Sequence, residues 1–249
     1  MTAVPRLPAP AGRRILAHGL YETRNVLRNG EQLLVSLVLP LLVLFGASRL
    51  ELITSADVPS IDVITPGVLA LAVMASAFTG QGIATGFERQ YGALAYLSTT
   101  PLGPVGLIAG KVCAVMCVVA IQAAVLGTAA VVMGWTPDAA ALPGLLLGMF
   151  LGACVFTALG LLLAGTVRAE ATLALSNVLW VLMGAAGGAV FPLPENLAGT
   201  ILQILPSAAL GEVLRNASLD GAVALQPLLI LTVWGVLALL AAKRWFTWT

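Results

Sequence analysis

The stretch GFERQYGALAYLSTTPLG, Gly86 to Gly103, stands between two long apolar runs. It carries the pair Glu88–Arg89, the tyrosines Tyr91 and Tyr96, and a Thr99-Thr100-Pro101 stop. A charged side chain at the centre of a bilayer costs about 2.5–3.5 kcal/mol or more. This stretch therefore lies outside lipid and divides the flanking runs into separate spans. At about 100° per residue, Phe87, Tyr91, Leu94 and Leu97 share one side, and Glu88, Arg89, Gly92 and Tyr96 share the other. The spacing predicts a short amphipathic helix, broken where Pro101 disfavours helical geometry at Thr100.

Composition agrees with this reading. Of 249 residues, 59% are hydrophobic and 9% charged, where soluble domains carry about 25% charged residues. No soluble fold hides that much apolar surface. A spanning helix needs about 20 apolar residues, and six segments qualify: Leu33–Ala47, Pro66–Gly86, Leu107–Met133, Leu142–Val167, Ala171–Val190 and Val223–Ala242. The expectation is one all-α polytopic membrane domain over 1–249, with no internal repeat and no cleavable signal peptide. Cys113, Cys117 and Cys154 all lie inside apolar runs and read as small core residues.

Basic residues set the expected orientation. With the N-terminus inside, Arg6, Arg13, Arg14, Arg24, Arg28, Arg89, Lys111, Arg168, Lys243 and Arg244 are cytoplasmic, and only Arg49 and Arg215 are outside. Both termini are then cytoplasmic in a multi-pass protein of the cytoplasmic membrane. Trp245 and Trp248, beside Lys243 and Arg244, read as an interfacial anchor.

Two further segments are neither spans nor turns. In 11–30, Ile15, Leu16, Gly19, Leu20, Thr23, Val26 and Leu27 form one arc of a helical wheel, and Arg13, Arg14, His18, Glu22, Arg24 and Arg28 lie outside it. This is a helix in the plane of the membrane with a basic face toward lipid headgroups; the alternative is a helix packed on protein. His18, on the polar face, reads as solvated. In 191–221, Pro192, Pro194 and Pro206 separate two apolar pieces, Glu195–Leu205 and Ser207–Asn216, too short to span. They are expected to dip into the outer leaflet or roof the bundle, with Ser207 capping the second.

The chain shows no catalytic constellation and no metal-ligand cluster. GLIAGKV, Gly106–Val112, fails as a phosphate loop: Val105 stands where the first glycine is required, and Val112 follows Lys111 in place of Ser or Thr. Lys111 reads instead as an interface anchor opening the third span. The main polar residues within spans are Gln81, Gln122 and Asn177. Such groups most often donate hydrogen bonds between helices.

In order and spacing these features resemble the ABC-2-type permease family, the membrane subunits of ABC exporters. The resemblance rests on the basic lead helix, six spans, the loop FERQYGALAYLSTTPLG running on to Gly110-Lys111, and FPLPENL…LPSAALGEVLR, which is similar to the family's external re-entrant helices. It implies that 87–103 is a coupling helix docking in a separate ATP-binding subunit, with Glu88 and Arg89 as polar contacts and Tyr91, Leu94 and Tyr96 as anchors. It implies no cofactor in this chain, ATP and Mg held by two ATP-binding subunits, a second permease subunit, and export of hydrophobic or amphipathic drug-, antibiotic- or lipid-like compounds. Nucleic acid is not an expected partner. The candidate substrate path takes in Gln81, Asn177 and Trp180, near spans one, two and five. Export of glycan or lipid-linked polysaccharide is the alternative within the family. A channel or secondary transporter is the alternative outside it, and would call for intramembrane ionisable residues.

Overall fold

The computed structural model describes residues 9–49 and 59–246. Arg6 and Trp248, named for the expected orientation, lie outside the described residues. The described chain is helical, without strands. In order it comprises α1 (Ala11–Arg28), α2 (Gly30–Arg49), α3 (Ser60–Gln90), α4 (Ala93–Ser98), α5 (Gly103–Val132), α6 (Ala141–Thr166), α7 (Ala169–Ala185), α8 (Leu197–Leu202), α9 (Pro206–Asp220) and α10 (Leu225–Trp245). Helices α2, α3, α5, α6 and α10 are long and apolar enough to cross a membrane. At 1.5 Å per residue, the 17 residues of α7 reach about 25 Å, so this apolar helix falls short of a full hydrocarbon core of about 30 Å.

Helix α3 is the axis of the bundle. Its apolar window is 94% buried, against 22% for those of α2 and α10, and it packs on α2, α5, α6, α7 and α9. Ile64, Met74 and Phe78 of α3 meet Phe156 of α6 and Leu210 and Leu214 of α9 in one core. Between helices that already lie in lipid, close packing replaces the hydrophobic drive, and small residues at the contact permit it. Helix α6 supplies them on one face. A Cβ on Gly148 would stand 2.7 Å from Leu214 Cδ2, one on Gly152 2.6 Å from Leu210 Cδ1, and one on Gly160 2.6 Å from the Phe78 carbonyl.

Both α2 and α3 contain a π turn, at Leu34–Val38 and Ala75–Gly80. In α2 its companion is Pro40. A proline has no N–H, so the carbonyl four residues back, Ser36, loses its helical donor. Gln122 Nε2 of α5 donates to that carbonyl at 2.6 Å. Gln122 is thus an interhelical donor, serving a defect that the proline creates.

The segment after α7 departs from the sequence expectation in two places. Helix α7 ends at Ala185 rather than Val190, and Gly188 adopts φ +74°, a left-handed conformation that ends helical geometry. Ser207 does not cap α9; its Oγ donates to the Gly187 carbonyl at 2.8 Å. Arg215, also buried, donates from Nη2 to the Gly188 carbonyl at 2.8 Å and from Nη1 to the Ala189 carbonyl at 3.0 Å, and pairs with Glu212 at 3.2 Å. These bonds staple the 187–189 backbone beneath α9. Helices α8 and α9 are each too short to span, and Asn196 Oδ1 caps α8 by accepting from the Gly199 N–H at 2.9 Å.

Candidate functional site

One end of the bundle gathers most of the charged chemistry. Lys111 is fully buried. Its Nζ lies 2.7 Å from Glu88 Oε2 and 3.2 Å from Glu22 Oε1, and His18 Nε2 lies 3.5 Å from the same Glu22 oxygen. A buried ammonium survives only with such partners, and here they come from two other helices. Lys111 of α5 therefore ties α1 to the end of α3. The expectation that Lys111 anchors at the membrane surface is corrected: α1 covers it. The apolar arc of α1 is corrected in the same way. Gly19, Thr23 and Val26 are buried with Glu22 against α5, where Gly19 sits over Gly110 and Cys113, whereas Leu16, Leu20 and Leu27 remain exposed. Arg13, Arg24 and Arg28 are exposed beside those leucines, and Arg14 is half-buried. His18 is not solvated. Burial pushes its imidazole below the ordinary 6.5, partly opposed by the Glu22 carboxylate.

The segment between the second and third spans differs from a single amphipathic helix. Helix α3 runs on through Glu88 and Arg89 to Gln90 and is closed at Gly92, φ +74°. The Tyr91 N–H reaches the Phe87 carbonyl at 2.9 Å, and the Gly92 N–H the Arg89 carbonyl at 3.0 Å. A glycine after the last helical residues is a common stop, and Gly92 was the sequence signal for it. Only Ala93–Ser98 forms the separate helix α4. Arg89 donates to the Val167 carbonyl, and Gln90 Nε2 donates to Glu170 Oε1 at 2.8 Å, which fixes the end of α3 to the α6–α7 link. Leu94 is wholly buried. Of the residues expected to meet a partner, Glu88, Arg89 and Leu94 thus hold the segment to its own chain. Tyr91 and Tyr96 point outward, 78% and 72% exposed, and Tyr91 stacks on Phe87 at 6.1 Å.

Beside this end, α2, α3 and α7 enclose a cleft of about 480 Å³. Gln32, Val35, Thr79, Ile83, Phe87 and Asn177 are among its walls. Of the three residues of the expected substrate path, Asn177 lies on this wall. Trp180 is not on the cleft wall: it is buried and its Nε1 donates to the Leu71 carbonyl at 3.1 Å, bracing α7 on α3. Gln81 is buried in the core and likewise off the cleft wall. Phe246, after α10, packs against Gly165 at the end of α6. The N-terminal helix and the last described residues thus lie at the same end of the bundle as α4.

A search of curated proteins finds no match. The family model described as ABC-2 family transporter protein matches residues 51–243. That match takes in α3 to α10 apart from the last residues, the buried Lys111 and the segment closed at Gly92, and the chain belongs to the ABC-2 family of transporter proteins.

Proposed function

We propose that this chain is the membrane subunit of an exporter of hydrophobic or amphipathic compounds, driven by a separate ATP-binding subunit that docks on Tyr91 and Tyr96. Membership of the ABC-2 family supports this reading, because such a chain is a membrane transport subunit and the family implies an ATP-binding partner. The observation that carries the docking assignment is the division of labour in 87–98. One set of residues is spent on the chain's own bundle, and two large aromatic side chains are left outside. Tyrosines supply broad apolar contact with a polar tip, the composition favoured at interface centres. A segment bolted to α5 through Lys111 and to the α6–α7 link through Arg89 moves only with those helices, so it can pass force from a closing partner into the bundle.

In the same reading two ATP-binding subunits hold ATP and Mg, two permease subunits pair, and both termini and α4 are cytoplasmic. The cleft between α2, α3 and α7 is the entry for a lipophilic cargo from the lipid alongside. The test is Tyr91→Ala with Tyr96→Ala. Both side chains are exposed, so the fold should be unchanged, while pull-down of the ATP-binding subunit and efflux should each fall at least tenfold. Normal capture and normal efflux at normal membrane levels would move the docking site elsewhere.

A further inference from the structure

We propose that the cleft selects amphipathic molecules that carry a positive charge, and that Glu31 is the residue that recognises the charge. The inference rests on the reading of this cleft as the cargo entry. Among the described residues, Glu31 is the one ionisable side chain on the cleft wall. It is exposed in the first turn of α2, and no ion pair among the described residues includes it. A carboxylate accepts hydrogen bonds and donates none. A lone carboxylate at the mouth of a low-dielectric cleft concentrates cations and repels anions. Among the described residues, no basic side chain on the wall cancels it.

The rest of the wall fits the remainder of such a molecule. Val35, Ile83, Phe87 and Leu173 give apolar surface, and Gln32 and Asn177 give neutral amides. Phe87 also offers an aromatic face of the kind that attracts cations. Thr79 adds an independent observation. It is 3% exposed and lines the cleft, yet its hydroxyl has no hydrogen-bond partner among the described residues. A helical threonine ordinarily returns its hydroxyl to the carbonyl four residues back, as Thr23 and Thr65 do at 2.7 Å. Thr79 lies in the π turn Ala75–Gly80, where the helical register is altered. Its hydroxyl is left without a partner beneath the cleft wall.

The probes are tetraphenylphosphonium and tetraphenylborate, which share size, shape and apolar surface and differ in the sign of their charge, with triphenylphosphine oxide as a neutral third. Equilibrium binding is measured on the full chain in nanodiscs of zwitterionic lipid, with empty discs subtracted. The expected result is saturable binding of the cation, no saturable binding of the anion, and about tenfold weaker cation binding in Glu31→Gln with binding of the neutral probe unchanged. Ala84→Trp, which fills the cleft, should abolish binding of both cation and neutral probe. If all three probes bind alike, or Glu31→Gln leaves the cation unaffected while Ala84→Trp still abolishes binding, charge selection is overturned and the cleft stands as the cargo entry. If no probe saturates, or if Ala84→Trp leaves binding intact, both readings fall together.

Discussion

Lys111 Nζ and Glu88 Oε2 lie 2.7 Å apart, joining the start of the third span to the end of the second beneath a cover of α1. The pair also bounds the segment that carries Tyr91 and Tyr96, so its loss should be felt in both stability and coupling. Lys111→Met strands two largely buried carboxylates, Glu22 and Glu88, and should destabilise the chain by about 3–5 kcal/mol, as breaking one side of a buried ion pair does. Replacing all three, with Glu22→Gln and Glu88→Gln added, removes the stranded charge and should restore most of that loss. Thermal unfolding in detergent reads both outcomes. A single variant as stable as the parent would show that Lys111 is not held in this cluster.

His18 gives the same region a dependence on pH. Burial holds its folded pKa below 6.5, so the unfolded chain binds the proton more readily. Stability then rises with pH across that interval. The contribution is complete above about pH 6.5 and is lost as pH falls through the folded value. Docking of α1 on α5 should loosen on acidification from pH 7.5 to 5.5, read by protease access to the link at Asn29. His18→Gln should flatten the response, and an unchanged acid response in that variant would place its origin outside His18.

The glycines of α6 should differ among themselves. A methyl on Gly160 meets the Phe78 carbonyl, which cannot yield without moving α3, whereas one on Gly148 meets the end of the Leu214 side chain. Overpacking of a tight contact costs about 1–3 kcal/mol, so Gly160→Ala should lie at the upper end and Gly148→Ala below it. Gly127 of α5 has nothing nearer than 3.9 Å, and Ala there should be neutral or stabilising by up to about 1 kcal/mol. Ranking the three by melting temperature checks the contact map directly.

Much of this was legible in the sequence, and the misses share a cause. Apolar runs of about 20 residues located the long helices, because length and hydropathy are local properties. Helix ends depended on single residues, Gly92 and Gly188, whose left-handed conformations periodicity does not show. Lys111 looked like a surface residue because it stands at the edge of an apolar run; its burial depends on α1, which lies far away in sequence. The wheel of α1 favoured lipid over protein as its partner, whereas Gly19, Glu22, Thr23 and Val26 are buried against α5. The spacing Gly144, Gly148, Gly152 and Gly160 was a usable signal for the α6 contact.

Rolling α2 about its own axis would part Gln122 from the Ser36 carbonyl and leave both groups bare in an apolar medium, at several kcal/mol for each unsatisfied group. Leaning α2 at its near end would not. Glu31, Gln32 and Val35 all precede that bond along the helix, and the π turn Leu34–Val38 holds both Val35 and Ser36. The first span is therefore held by a side-chain bond at Ser36, and its part of the cleft wall lies on the N-terminal side of that bond. In the proposed reading of the cleft as cargo entry, its mouth would widen for a bulky guest by a lean of α2 about that bond.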